Sequence, residues 1–262
     1  MIKGVILAGG NGTRLLPLTK VVNKSLLPIL DKPMIQHCVE KFTAANIREI
    51  MIVTGGEHLG VIAEFLGSGK DFNCSITYKI QDTAGGIAQA LSLAEHFVGN
   101  DNICVLLGDN IFESPLNPLS TIYKGEYAFP PYAFATGAMV ILKQVEDPQR
   151  FGVATIDAGR VIKIVEKPKI PESNYAVTGI YFYDNEVFDI IRDCRPSGRG
   201  ELEITDVNNK YIRRDAMRYA ILDGWWTDAG THESYQKANE LYKETKNGNK
   251  NNSDGKDLDC PF

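Results

Sequence analysis

Apolar residues occur in two alternating patterns along the first half of the chain. Short, continuous apolar runs predict buried β-strands at residues 2–8, 49–54, 75–81 and 103–107. Segments with apolar residues at helical spacing lie between them and predict α-helices at residues 33–45, 59–66 and 86–97. Strands that alternate with helices favour right-handed crossovers and a mostly parallel sheet covered on both faces. This half is therefore predicted to be doubly wound α/β, with ligands at the carboxyl ends of the strands.

The pattern changes in the second half. Strand-like runs follow one another too closely for helices to separate most of them, at residues 138–144, 152–156, 161–166 and 177–183. A helix, a strand and a helix are then predicted at residues 201–214, 219–222 and 233–245. We expect this α+β half to extend the same sheet.

The predicted elements form one domain over residues 1–245, with halves at about 1–112 and 136–245. The polar tail at residues 246–262 has almost no apolar content and is predicted to be disordered. The stretch at residues 123–137 is rich in aromatic residues and proline, and a lid, a partner surface and a packed insertion all remain open for it.

Composition excludes several classes of function. The chain has 262 residues, a net charge of -5 and a pI near 5.5, which argue against the basic face of a nucleic-acid-binding protein. Its five cysteines are scattered without a CxxC pair, which argues against a zinc site and favours a reducing compartment. No apolar run approaches the roughly 18 residues that a membrane span needs. We therefore expect a cytoplasmic protein without nucleic-acid or membrane partners.

The first predicted strand runs into a glycine-rich loop, LAGGNGTR, which is followed by Lys24. A Walker A loop requires GxxxxGK[ST], but the GK pair here, Gly69 and Lys70, is followed by aspartate. A dinucleotide fingerprint requires GxGxxG, and Leu15 stands at its third glycine. Two interpretations remain: a backbone nest in which Arg14 binds an anion, or a tight turn with a surface arginine.

The loop resembles a known signature once its neighbours are included. LAGGNGTRLLPLT followed by KSLLP is very similar to the signature of the sugar-1-phosphate nucleotidylyltransferases. Further matches, in the order of the thymidylyltransferase branch of that family, are QDTAGGIAQAL, LLGDNIF, RFGVATID, VEKPKIP, YAVTGIYFYD, GRGELEITDVNNKY and GWWTDAGTHESY. The resemblance implies a three-layer α/β/α fold. It also implies transfer of a thymidylyl group from dTTP to glucose-1-phosphate, which gives dTDP-glucose and pyrophosphate for deoxysugar biosynthesis.

The resemblance also assigns site residues. By this resemblance, the catalytic residues are Arg14, Lys24, Asp109, Lys167 and Asp228. Its nucleotide-binding residues are Leu7, Gly9, Gly10, Gly12, Thr13, Arg14, Lys24, Gln81, Gly86 and Asp109. Its sugar-phosphate-binding residues are Gly152, Glu166, Lys167, Thr178, Gly179, Tyr181 and Arg199. Its ligands to Mg²⁺, the expected cofactor, are Asp109 and Asp228. Cations suit this reaction because two anionic reactants must meet at the α-phosphorus.

Some alternatives remain open beside this assignment. The link QDTAGG is shorter than in many relatives, so transfer of uridylyl from UTP is the second interpretation, and a nucleotide-sugar glycosyltransferase is the third. For Trp225 and Trp226 two interpretations remain: one of them covers the sugar face, or both pack in the core. The match ends near residue 243, before the C-terminal helices of longer family members, so their allosteric site is expected to be absent or altered. A homo-oligomer is compatible with the resemblance.

Overall fold

The computed structural model of the protein describes residues 1–124 and 136–253, with side chains up to residue 247. Most of the aromatic stretch and the end of the polar tail therefore lie outside the described residues. Its strands are β1 Ile2–Leu7, β2 Pro28–Ile29, β3 Lys32–Pro33, β4 Glu49–Gly55, β5 Ser75–Gln81, β6 Asn102–Leu107, β7 Asn110–Phe112, β8 Ala138–Gln144, β9 Gly152–Asp157, β10 Arg160–Glu166, β11 Tyr175–Tyr183, β12 Met217–Ile221 and β13 Trp226–Asp228. Its α-helices are α1 Met34–Ala44, α2 Gly56–Leu66, α3 Ile87–Ser92, α4 Glu95–Val98, α5 Asn117–Lys124, α6 Val187–Arg192, α7 Ile204–Arg213 and α8 His232–Ser253.

A single mixed sheet joins the two halves. In the first half, β6, β1, β4 and β5 are parallel neighbours, as the alternation of strands and helices predicts. In the second half, β11 pairs antiparallel with β6, β8 and β9, and β10 extends the sheet from β9. The boundary between the halves is therefore the antiparallel β6–β11 pair.

Helices cover both faces of the sheet, which confirms the predicted three-layer α/β/α arrangement. Side chains alternate along each strand, so Val5 and Leu7 of β1 pack with α3, α6 and α7, while Ile6 packs with α1, α2 and α5 on the opposite face. A third, smaller apolar cluster includes Leu15 and Ala238 and lies beneath α8. In the described residues, no helix is long and apolar enough to cross a membrane.

The predicted helices at residues 86–97 and 233–245 differ most from the structure. The predicted helix at 86–97 is divided into α3 and α4, because the Ser92 hydroxyl bonds the carbonyl of Gln89 and competes with helical backbone bonding. The last helix continues beyond residue 245 to Ser253, which corrects the expectation that the chain is disordered from residue 246. Lys246 within it forms an ion pair with Asp31 and lies 5.6 Å from the ring centroid of Tyr242.

Candidate active site

A cavity of about 400 Å³ lies where the parallel strands of the first half meet β9, β10 and β11 of the second. Its walls come from both halves, so each half alone would leave it open. The predicted site residues that line it are Leu7, Gly9, Gly10, Arg14, Lys24, Gln81, Gly86, Asp109, Gly152, Glu166, Lys167, Gly179, Tyr181 and Asp228. Residues more than 100 positions apart in the sequence are thus brought to one place.

Lys24 and Asp109 form a close ion pair within this cavity. The Lys24 Nζ lies 2.5 Å from the Asp109 Oδ2, and both side chains are mostly buried. Asn23 sets the position of the lysine, because its side chain accepts from the Ser25 N–H and donates to the carbonyl of Ala8 at the end of β1. Burial opposes ionisation of Asp109, but the charge and hydrogen bond of Lys24 outweigh it and lower the pKa of Asp109.

Asp228 lies beside Asp109 in a less favourable electrostatic environment. Burial and the nearby Asp109 carboxylate raise its pKa from 3.8 to about 6, although Arg150, Arg14 and Lys24 oppose this shift. The Asp228 Oδ1 lies 3.2 Å from the Arg150 Nη2. An additional cation would therefore stabilise the ionised form of this carboxylate.

The backbone brings the two carboxylates together through a short antiparallel pair. β7 pairs with β13 so that Asn110 lies opposite Asp228, and the Ala229 N–H donates to the Asp109 carbonyl at 2.8 Å. A Cβ built on Gly230 would lie 3.4 Å from the Oδ2 atoms of both carboxylates and 3.1 Å from the Arg14 Nη2. Both carboxylates and Arg14 therefore converge on one small volume, which a side chain at position 230 would occupy.

The glycine loop and Gln81 form one end of the cavity. A Cβ on Gly9 would overlap the Gln81 Oε1, so glycine is needed for the amide to lie against the loop. The Gln81 Nε2 donates to the Gln89 Oε1 at 2.7 Å, and Gln81 is almost fully buried. Gly86 has φ of 97°, and a Cβ there would lie 2.6 Å from the carbonyl of Leu202. This end presents amide groups and bare backbone.

Glu166 and Lys167 lie at the other end. The Thr205 hydroxyl donates to the Glu166 Oε2 at 2.8 Å, which holds the carboxylate toward the cavity. Lys167 has φ of 43°, and its N–H donates to the Phe151 carbonyl as the chain leaves β10. The Lys167 Nζ lies 3.3 Å from the Glu166 Oε1 and is half-exposed, so this ammonium is accessible from the cavity.

Four predicted residues do not line the cavity. Thr178 points away from the face of Val177 and Gly179 because side chains alternate along β11, and its hydroxyl donates to the Ile141 carbonyl. Gly12 and Thr13 belong to the glycine loop but do not line the cavity; Gly12 has φ of 62° and precedes the turn that carries Arg14. Arg199 pairs with Glu203 outside the cavity, with its Nη2 3.8 Å from Glu166.

The structure also brings in residues that the sequence prediction missed. Arg150 and Asn110 line the cavity and contact Asp228 and Asp109 respectively. Both occur within the matched motifs RFGVATID and LLGDNIF, so the motifs were recognised but these side chains were not assigned. Of the two tryptophans, Trp226 lines the cavity, whereas Trp225 packs beneath α8 and donates to the Thr245 hydroxyl.

The charges and shape of the cavity suit a large anionic ligand. Four cationic side chains line it: Arg14 and Lys24 on the side of the glycine loop, Arg150 beside Asp228, and Lys167 at the end of β10. The described residues contain no cluster of three or more histidine, cysteine or acidic side chains that could hold a metal alone. A pair of carboxylates beside phosphate-binding groups instead fits a divalent cation that shares its ligands with phosphate oxygens.

A family model and several similar sequences of known name identify the family of this chain. The nucleotidyl transferase family model matches residues 3–245 of this chain. The glucose-1-phosphate thymidylyltransferase of Neisseria meningitidis is 44% identical over 240 residues, which cover 90% of this chain and 81% of that protein. The enzyme of the same name from Mycolicibacterium smegmatis is 38% identical over 245 residues, which cover 92% of this chain and 82% of its own.

Solved structures agree with the sequence comparison. A crystal structure from Bacillus anthracis, named for glucose-1-phosphate thymidylyltransferase and in complex with sucrose, is 50% identical, with a TM-score of 0.86 and coverage of 100% of this chain and 98% of that one. A UDP-glucose pyrophosphorylase complexed with UDP-glucose is 28% identical, with a TM-score of 0.81 and coverage of 94% and 100%. The chain therefore belongs to the nucleotidyl transferase family.

Proposed function

We propose that this protein transfers a thymidylyl group from dTTP to glucose-1-phosphate and releases pyrophosphate. The observation that carries this proposal is one cavity that is lined both by the cations Arg14, Lys24 and Lys167 and by two converging carboxylates. An oxygen of the sugar phosphate forms a bond to the α-phosphorus of the triphosphate. The bond from that phosphorus to the bridging oxygen breaks, and pyrophosphate leaves with the electron pair.

The cations of this chain carry most of the catalysis. The two reactants repel each other, and at about 4 Å with an effective dielectric constant near 20 each pair of unit charges interacts by about 4 kcal/mol. Arg14 and Lys24 bind the triphosphate, and Lys167 binds the sugar phosphate on the opposite side, which aligns the attacking oxygen with the leaving group. Glu166, oriented by Thr205, accepts hydrogen bonds from sugar hydroxyls.

Asp109 and Asp228 would hold a divalent cation, with Mg²⁺ proposed. The convergence of their Oδ2 atoms on one point supports this role, as does the raised pKa of Asp228, which reflects an uncompensated pair of carboxylates. Mg²⁺ commonly binds through one or two carboxylates and substrate phosphates, and there it would neutralise charge on the triphosphate.

The amide end of the cavity supports recognition of a pyrimidine that carries an imide N–H. The Gln81 Nε2 is engaged by Gln89, so its Oε1 can accept from the N3–H of thymine or uracil. Cytosine has an acceptor at N3 and would be disfavoured. The similarity to a UDP-glucose pyrophosphorylase makes UTP the second nucleotide of interest.

Pyrophosphate release with dTTP, UTP, CTP and ATP, each with glucose-1-phosphate and its amino and deoxy analogues, tests the proposal. We expect the fastest release with dTTP and glucose-1-phosphate in Mg²⁺, and none in excess chelator. Faster release with UTP would establish the uridylyl reaction instead. If no triphosphate yields pyrophosphate but a nucleotide sugar is consumed, the glycosyltransferase interpretation would replace the proposal.

A second experiment separates the two substrates. Lys167→Ala should raise the KM for glucose-1-phosphate and leave binding of dTTP nearly unchanged, because Lys167 lies at the sugar end. Calorimetry measures both affinities directly. An equal loss for the two ligands would reject the proposed division of roles.

A further inference from the structure

The side chain of Asn110 joins three segments that meet at the candidate active site. It is 3% exposed and lies at the start of β7, directly after Asp109. Its Oδ1 accepts from the Gly179 N–H at 2.9 Å and from the Trp226 Nε1–H at 2.7 Å, and its Nδ2 donates to the Asp109 Oδ1 at 3.1 Å. Peptide and indole N–H groups can only donate, so the orientation of the amide is fixed.

The strand that carries Gly179 is irregular next to this amide. The pairing of β11 with β8 shifts register between Val177 and Tyr181, and the pairing of β11 with β6 begins at Ile180. Gly179 therefore lies in the irregular part of the strand, where its N–H is directed to Asn110. A Cβ on Gly179 would lie 2.6–2.7 Å from three atoms of the Asn110 amide, so a larger residue would displace that amide.

The contact with Trp226 joins Asn110 to β13, the strand that carries the other carboxylate. Trp226 and Asp228 belong to β13, and Asp228 lies opposite Asn110 in the β7–β13 pair. The hydrogen bond from the Trp226 indole thus holds β13 against the same amide that holds Asp109. One buried side chain consequently connects both carboxylates to the strand of the second half that borders the cavity.

We propose that Asn110 is a positioning residue that fixes the spacing of the Asp109 and Asp228 carboxylates and ties both to β11. The inference rests on the proposed function only in taking these carboxylates as ligands of a divalent cation. Side chains that orient metal ligands are commonly worth 10–100-fold in metal affinity. Asn110 meets this description because its contacts with Gly179 and Trp226 are buried, and all three of its contacts are directional hydrogen bonds.

Binding of Mn²⁺ alone, measured by the electron paramagnetic resonance signal of the free ion, tests the inference without the enzymatic reaction. Wild type should bind one Mn²⁺ that Asp228→Asn does not bind. Asn110→Ala should weaken this binding by about 10–100-fold. Tyr123→Phe is the matched control, because it removes one buried hydrogen bond, to the Gly137 carbonyl, away from the cavity. It should lower the melting temperature and leave Mn²⁺ affinity unchanged.

A double-mutant cycle with Gly179→Ala provides the sharper test. The three atoms nearest to a Cβ at position 179 all belong to the Asn110 amide, so Gly179→Ala should weaken Mn²⁺ binding because its Cβ displaces that amide. In Asn110→Ala the amide is gone and the new Cβ has room. The double variant should therefore bind Mn²⁺ no more weakly than Asn110→Ala alone.

The possible Mn²⁺-binding results separate a failure of the positioning role from a failure of the metal site. Wild-type Mn²⁺ affinity in Asn110→Ala, or losses that multiply in the double variant, would overturn the positioning role and leave the metal site intact. Equal Mn²⁺ binding by wild type and Asp228→Asn would overturn the metal site itself and the inference with it. If Asn110→Ala does not fold, Gly179→Ala and Trp226→Phe carry the test, and wild-type affinity in both would overturn the inference.

Discussion

Asp228→Asn is expected to make the metal-free protein more stable at neutral pH. The Asp228 side chain is 18% exposed, and burial together with Asp109 raises its pKa from 3.8 to about 6. Above pH 6 the ionised carboxylate is therefore less stable in the folded protein than in the unfolded chain. Asparagine has nearly the same shape without the charge, so the variant removes this cost.

The size of the effect follows from the two pKa values. The difference between about 6 and 3.8 corresponds to about 3 kcal/mol at about 1.36 kcal/mol per pKa unit. The cost is absent below pH 3.8, where Asp228 is protonated in both states, grows as the pH rises, and is complete above pH 6. The free energy of unfolding of Asp228→Asn should thus exceed that of wild type by about 1 kcal/mol at pH 4.5 and about 3 kcal/mol at pH 8.

Urea unfolding followed by circular dichroism, in excess chelator at both pH values, measures this difference. Asp147→Asn is the matched control, because Asp147 pairs with the same Arg150 but is 45% exposed. Asp147→Asn should change the free energy of unfolding by less than about 1 kcal/mol. The reasoning fails if Asp228→Asn is no more stable than wild type at pH 8, or if its advantage is the same at both pH values.

Three further substitutions test separate parts of the structure. Lys24→Ala should lower the turnover number by about a hundredfold or more in a pyrophosphate-release assay, since a preorganised charge is lost; a loss below threefold would contradict its role. Gly9→Ala should raise the KM for dTTP, because its Cβ would displace the Gln81 amide, and an unchanged KM would show that the amide is not needed there. Tyr211→Phe should cost about 1.5–3 kcal/mol in urea unfolding, because it leaves buried Asp184 without a hydrogen bond of 2.6 Å. Wild-type stability in that variant would contradict this estimate.

The amino-acid sequence alone determined most of the secondary structure. Strands β5 and β8 have the predicted bounds, and β1, β4 and β6 differ by a single residue at one end. These elements could be predicted because periodicity and turn residues are local signals. The glycine loop and the predicted charged residues of the site, which did not include Arg150, likewise lie in continuous motifs, each recognisable without knowledge of the fold.

Contacts between distant segments were decided by the tertiary structure. No local signal pairs Asn110 with Asp228, and β7 and β13 have three residues each, too short for a periodic pattern. The ion pair of Arg150 with Asp228 also joins segments 78 positions apart. Such pairings depend on how the completed sheet aligns its strands, which a linear pattern does not encode.

The direction in which a strand side chain points was also decided by the tertiary structure. The sequence placed Thr178 and Gly179 together beside the sugar, but in the folded strand Gly179 lines the cavity and the Thr178 hydroxyl bonds the backbone of β8. Adjacent residues of a strand point to opposite faces, and Val177, Gly179 and Tyr181 share the face that lines the cavity. The sequence alone thus determined which chemical groups this protein carries, whereas the packing of its two halves decided which of them meet.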